Sequence, residues 1–262
     1  MMTAAHSRAA DVPRPGLWAP VPAPEARISA AEPMTIPILA VTDEVDPRIH
    51  SETVRERLGH VAFVVSCGDL PASYLEFLAD ALNRPVYYVL GNHAEELSRR
   101  CNGDAKAKCT PTGAVNIGGK VVRDPGSGLI LAGFPGCTPY GENDPAQYSE
   151  REISLMALKM APRLHLNRLR YGRALDLLVT HAPPRDINDR EDPAHRGYET
   201  LRGFLERWRP PYHLHGHIHL YDRSAPYRQQ FAGTEVINVF PYRELEIEPA
   251  LAPSRQVVEA AP

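Results

Sequence analysis

"VAFVVSCGD", from Val61 to Asp69, is an apolar run that ends on a carboxylate. An uncharged stretch from Val61 to Ser66 reads as a strand buried on both faces. Cys67-Gly68 then turns the chain, so that Asp69 stands at the C-terminal end of the strand. The arrangement recurs along the sequence. "TIPILAV" (Thr35 to Val41) leads into Thr42-Asp43, and "PVYYVL" (Pro85 to Leu90) into Gly91-Asn92-His93. "LDLLVT" (Leu175 to Thr180) leads into His181, and the weaker "PYHLH" (Pro211 to His215) into Gly216-His217-Ile218-His219. Five strands therefore end in turn on Asp, Asp, Asn/His, His and His/His. In open α/β sheets ligands bind in the crevice outside those ends.

Helical patterns separate the strands. "SETVRERLGH" lies between the first two, and "PASYLEFLADALN" opens with Pro71, which suits a first helical turn. "SEREISLMALKM" begins with the capping box Ser149-x-x-Glu152 and sets Ile153, Met156 and Met160 on one face. "YETLRGFLERW" precedes the last strand of this series. The β-α-β order predicts an α/β fold. From Tyr227 to Ile247, "GTEVINVF" and "RELEIE" read as strands with no helix between them, as in a more antiparallel sheet or edge. The stretch from Ser98 to Lys120 reads as a loop, either a lid or plain surface.

Composition narrows the function classes. The chain has 262 residues, a net charge of -3 and 43% hydrophobic content, enough for one large domain or two small ones. That balance argues against nucleic acid or an anionic membrane as the main partner, and leaves a small phosphorylated ligand open. No apolar run reaches the length of a membrane span and no secretory leader is evident, so the expectation is a cytoplasmic protein. Residues 1–33 read as a disordered Ala/Pro-rich extension, 34–250 as the folded domain and 251–262 as a flexible tail. The four cysteines form no C-x-x-C pair, which argues against a structural zinc ribbon, and Cys101 and Cys109 are expected reduced.

Taken singly, a Gly-Asp, a Gly-Asn-His or a strand-end His is an ordinary turn or polar terminus. Taken in this order they form a mixed oxygen and nitrogen donor set without thiolate, suited to two divalent ions such as Mn, Fe, Zn or Ni. A shared carboxylate would bridge two ions about 3.5–4 Å apart, the spacing of in-line phosphoryl chemistry.

Gly68-Asp69, Gly91-Asn92-His93, Thr180-His181 and Gly216 to His219, in that order, resemble the blocks of the calcineurin-like metallophosphoesterase family, over about residues 36 to 220. The resemblance implies a four-layer sandwich of two mixed β-sheets flanked by helices, with a dinuclear metal centre at the strand ends. It implies that Asp69 bridges both metals, that Asp43 and His219 serve one, and that Asn92, His181 and His217 serve the other. His93 would face the phosphate as general acid. The first block departs from the family's Asp-x-His, because Val45 stands where the His belongs. The resemblance therefore predicts an asymmetric pair with a weak first site, completed by water, Asp46 or His50.

The expected function is hydrolysis of phosphodiesters or small organic phosphates. Tyr140 would cover a base or aryl group or else belong to a plain turn-rich loop, and His195 and Arg196 would hold a phosphate or else form an exposed helix-entry pair. Two rivals are a nuclease, disfavoured by the acidic balance, and a non-catalytic metal-binding scaffold descended from a phosphoesterase. A metallo-β-lactamase-type hydrolase is disfavoured because Leu220 and Tyr221 stand where its H-x-H-x-D-H needs Asp and His. His213 and His215, before the Gly216 turn, are expected to be structural.

Overall fold

The computed structural model describes residues 35–93, 110–141, 146–222 and 224–249. The expectations for residues 1–33 and 251–262, and for Cys101 and Cys109, fall outside these residues.

Each apolar run forms a strand, trimmed by one or two residues at its start and, in the run from Pro85, by two at its end as well. The first three are β1 (Ile36–Val41), β2 (Phe63–Ser66) and β3 (Val86–Tyr88), followed by two short strands, β4 (Ala114–Asn116) and β5 (Val121–Arg123). Then come β6 (Ile130–Phe134), β7 (Leu177–Thr180), β8 (Tyr212–His215), β9 (Arg228–Phe231), β10 (Thr234–Asn238) and β11 (Tyr242–Ile247). The stretch read as a loop therefore contains β4. Half-buried Ala114 and Asn116 flank exposed Val115 there, too short and mixed a run to stand out from its glycines.

The strands form two mixed sheets. One has the order β11-β1-β2-β3-β4, with β11 antiparallel to β1 and the rest parallel. The other has the order β5-β6-β7-β8-β10-β9, parallel in its middle and antiparallel at both edges. The antiparallel edges are the helix-free stretches of the sequence.

Side-chain alternation explains the layering. Ile38, Ala40, Phe63 and Val65 of the first sheet meet Leu131, Leu177, Val179 and Leu214 of the second in a core between the sheets. Leu39, Val41 and Val64 point the other way, beneath α1 (Val54–Leu58) and α2 (Ala72–Leu82). Ile130, Ala132, Leu178 and Val236 point outward from the second sheet, beneath α3 (Glu150–Tyr171) and α4 (Glu199–Trp208). The result is helix, sheet, sheet, helix.

Helix boundaries follow local chemistry. Pro71 sits just before the first helical residue of α2, and Asn83 closes that helix in the left-handed conformation, at φ 52°. The capping box of α3 is formed: Glu152 N–H donates to Ser149 Oγ at 3.3 Å, and Ser149 N–H donates to Glu152 Oε2 at 2.8 Å. This helix runs on through Pro162 to Tyr171, well past the predicted Met160. Proline removes one backbone donor, but Pro162 and Leu158, whose carbonyl is thereby released, are exposed to water. Meanwhile Leu164 and Asn167 continue the buried stripe. Among the described residues, no helix is long and apolar enough to cross a membrane.

Candidate metal centre

The two sheets bring the C-terminal ends of their parallel strands to one edge, and loop hydrogen bonds join them. Asp43 N–H donates to Gly68 O at 3.0 Å, and Gly216 N–H donates to His181 O at 3.1 Å. Asp43, Asp69 and His217 adopt positive φ of 60°, 55° and 65°, a conformation that costs a residue with a Cβ free energy. Three strained turns at one point mark a place where side-chain direction outweighs backbone comfort. Glycines make the approach feasible. A Cβ at Gly216 would collide with the Thr42 hydroxyl and sit 2.6 Å from Asp43 Oδ2, and one at Gly91 would collide with the Asp69 carboxylate.

Asp43, Asp69 and His181 each offer a ligand atom, and these lie within 4.8 Å of one another. Both carboxylates are oriented by backbone amides. His93 N–H donates to Asp69 Oδ1 at 2.8 Å, while Asp69 Oδ2 faces His181 Nε2 at 3.2 Å. His217 N–H donates to Asp43 Oδ2 at 3.0 Å, and the Thr42 hydroxyl donates to the same oxygen at 2.7 Å. Asp43 Oδ1 is left facing His219 Nε2 at 3.5 Å. Each Asp thus has one oxygen tied down and the other turned inward.

His181 is fully buried, with acceptors at both ring nitrogens. Nδ1 lies 2.8 Å from Cys67 O, and Nε2 lies 2.8 Å from Asn92 Oδ1 as well as near Asp69. A carbonyl, an amide oxygen and a carboxylate can only accept, so both ring nitrogens face groups that favour a proton or another cation. Burial disfavours the protonated ring, but the charges of Asp69 and Asp43 outweigh it and push its pKa up to about 9. Burial likewise raises the carboxyl groups of Asp43 and Asp69. Contacts with His219 and His181 for Asp43, and with His181 and the His93 amide for Asp69, outweigh it and hold both below the usual carboxylate range. A positive charge at the centre is therefore what this donor set is built to hold, and a metal ion fits in place of the Nε2 proton.

The remaining candidate ligands converge on this point. Asn92 Nδ2 donates to the Tyr140 hydroxyl at 3.0 Å, which turns Asn92 Oδ1 inward. The His217 ring lies 4.8 Å from that of His181. Its Nε2–H donates to Ala194 O at 2.6 Å, so the lone pair is on Nδ1. Burial, chiefly, pushes its pKa down to about 3, so the ring is neutral at working pH. His219 is half-exposed and stacks on Phe240, with ring centroids 4.6 Å apart. Tyr221 donates its hydroxyl proton to Glu44 Oε1 at 2.8 Å, and accepts from His219 Nδ1 at 3.1 Å. Glu44, Tyr221 and His219 form a chain that ends at Asp43.

Val45 packs with the side chains beneath α1 and α2. Both suggested substitutes have other partners. Asp46 is engaged by Arg48 through Nε and Nη2 at 2.9 and 2.6 Å, and the His50 ring lies edge-on to Phe77 at 4.5 Å.

His93 is exposed and follows Asn92 at the mouth of the site. Tyr140 is tied to Asn92, as above, and the His195 ring lies 5.2 Å from His217 while bonding Asp192. Arg196 instead lines a hollow of about 400 Å³ with Thr138 and Glu199, and no contact among the described residues joins it to the carboxylates. His213 and His215 are buried on β8. His213 Nε2 meets the Thr180 hydroxyl at 2.8 Å, and His215 Nε2 accepts from Asn188 Nδ2 at 3.2 Å. Burial, first of all, lowers the pKa of both, that of His215 to about 4. Sequence reasoning missed Glu44, Tyr221 and Ala194. The only local signal was that Glu44 follows Asp43 and Tyr221 stands two residues after His219. Glu44, Tyr221 and Phe240 also border a cavity of about 510 Å³ that continues to Arg48 and Tyr227.

The family model for calcineurin-like phosphoesterases matches residues 38–221 of the chain. One crystal structure superposes with a TM-score of 0.54 at 16% identity, over 81% of this chain and 95% of its own. The crystal structure of TT1561 of Thermus thermophilus does so with a TM-score of 0.52 at 14% identity, over 79% of this chain and 89% of its own. At such identities the likeness concerns the fold. No curated protein matches the sequence.

Proposed function

Since the chain belongs to the calcineurin-like phosphoesterase family, we propose that it is a metal-dependent hydrolase of phosphodiesters or small organic phosphates. The observation that carries this reading is the meeting of Asp43, Asp69 and His181 within 4.8 Å at the ends of strands from both sheets. Two divalent ions would be held there, one by Asn92, His181 and His217, the other by Asp43 and His219, with Asp69 between them. Such ions neutralise phosphate oxygens and acidify a water for in-line attack on phosphorus.

The protein's own groups do the rest. The amide N–H groups of His93 and His217 hold the carboxylates in register, so no reorganisation is needed when substrate arrives. His93, exposed beside the carboxylates, donates a proton to the leaving oxygen. Tyr140 packs against the substrate's organic part, and His195 lies close enough to His217 to meet a phosphate oxygen. The cavity of about 510 Å³ beside Tyr221 has room for a small leaving group.

Bis-p-nitrophenyl phosphate with added Mn²⁺ tests the reading. Metal-dependent release of nitrophenol that stops with chelator is the expected result. No hydrolysis across a panel of metals and esters would instead mean a binding scaffold. Binding of DNA with steep salt dependence, and its cleavage, would instead mean a nuclease.

A further inference from the structure

Helix α3 carries an apolar face its own fold does not use. Ile153, Met160 and Leu164 pack against the second sheet. On the other side Leu155, Leu158, Leu166 and Leu169 are 46%, 69%, 48% and 85% exposed. Among the described residues, all the exposed leucines are on this one helix. Together with exposed Pro162 they fall within an arc of about 80° at 3.6 residues per turn. Exposed leucines in one stripe are unlike the scattered apolar residues of an ordinary surface.

The spacing is symmetric. Leu158 and Leu166 each stand four residues from Pro162, and Leu155 and Leu169 each stand seven. A helix crossed by an antiparallel copy of itself at Pro162 would set Leu155 against Leu169, and Leu158 against Leu166, twice over. That is the self-complementary pattern of a two-fold interface, in which residue i meets j and j meets i. The charges favour the same direction. Glu152 and Arg170 lie on one flank, each about 80° from the middle of the stripe. An antiparallel pair brings Glu152 of one copy near Arg170 of the other on the same side of the seam, whereas a parallel pair would put these flanks on opposite sides and leave both charges without that partner. Lys159 and Arg163 keep the middle of that flank basic, so the leucines supply the attraction and the end charges the direction. A groove of about 280 Å³ between α3 and α4 adjoins the stripe at Leu158, and above Gly203 there is open space for a side chain from the second copy.

We propose that this chain forms a homodimer through α3, packed antiparallel about a two-fold axis at Pro162. Light-scattering mass of the full chain is the first test, with twice 29.0 kDa expected. Leu158→Glu/Leu166→Glu is expected to give the monomer mass, with unchanged circular dichroism and unchanged hydrolysis, because both residues are exposed and lie outside the active-site machinery. Register is read from Leu155→Cys/Leu169→Cys. Within one chain the two positions are about 21 Å apart at 1.5 Å per residue, so a disulfide between them can only join two copies. A covalent dimer linked 155 to 169 is expected on mild oxidation. A monomeric wild-type chain, a dimer that survives the double Glu variant, or a dimer that gives no 155–169 link would each overturn the proposal.

Discussion

The two halves of the candidate metal centre differ in burial and in support. On one side stand Asn92, His181 and His217. His181 is 0% exposed, and the other two are nearly as buried. Each is oriented by a further group: Tyr140 on Asn92, Cys67 O on His181 and Ala194 O on His217. On the other side the Asp43 side chain is 2% exposed but its partner His219 is 42% exposed. Val45, at the position where the family carries a ligand, faces a hydrophobic core. The buried half holds its donors through these groups, while the exposed half depends on one side chain braced by Tyr221 and Phe240. The two proposed metal positions are thus unequal by construction, one preorganised by backbone strain and hydrogen bonds and the other only sketched.

The largest expected effect comes from the buried half. His217→Ala removes a proposed ligand and the donor to Ala194 O. Changes to groups that merely orient ligands cost about 10–100-fold in metal affinity or activity, so loss of a ligand itself is expected to exceed ~100-fold. Metal content by elemental analysis, measured with turnover, checks this. An intact ion with lost turnover would move His217 from ligand to acid-base chemistry.

His93→Ala is expected next, and its size depends on the ester. General acid catalysis contributes about 10²–10⁴-fold, but nitrophenolate leaves without a proton. Turnover should fall steeply on an alkyl phosphate ester and little on bis-p-nitrophenyl phosphate. Equal losses on both would remove His93 from the proton-transfer step.

The buried half also has a pH signature with two opposite signs. His181 carries a proton below about 9, held by Asp69, Asp43 and Asn92 Oδ1. An ion must displace that proton, so metal affinity should fall about tenfold for each pH unit below 9. In metal-free protein the same raised pKa works the other way. Its stabilisation is fully present below the unfolded value of 6.5 and is lost as pH rises through about 9. Thermal melts with chelator should therefore weaken between pH 6.5 and 9, while metal titrations strengthen over the same range. Parallel trends would show that His181 is not the shared position of proton and ion.

How much of this was legible in the sequence follows from how local each feature is. The strands and the residues at their ends were readable, because an apolar run and the polar residue that stops it are neighbours in the chain. The capping box at Ser149 was readable for the same reason. β4 was not, because three residues at an edge, two half-buried and one exposed, carry no pattern. Nor was the extension of α3 through Pro162, since that depends on which face of the helix meets water. The bracing roles around the ligands were the hardest to read. Glu44 and Tyr221 are 177 positions apart, and Ala194 contributes a carbonyl that any residue would have supplied. The positive φ at Asp43, Asp69 and His217 left only a trace, the glycines at 68 and 216 beside two of them.

Tyr221→Phe tests the exposed half. It removes the hydroxyl between Glu44 and His219 and keeps the ring against Phe240. About tenfold weaker binding of the looser ion is expected, with the tighter ion unaffected. Gradual chelation, followed ion by ion, separates the two, and simultaneous loss of both ions with equal affinity would erase the asymmetry.

The smallest effect concerns Val45 itself. If this position were an emptied ligand site, its side chain would matter to metal and not to folding. Its packing against the cluster beneath α1 and α2 says the reverse. Val45→Ala removes two partly buried methyl groups and should cost roughly 1 kcal/mol of stability, seen as a lower urea midpoint with unchanged slope. Metal content and turnover should stay at the wild-type level. A variant that keeps its stability but loses the looser ion would mean that Val45 shapes the exposed position directly, and the weakness of that half would then lie in its floor rather than in a missing donor.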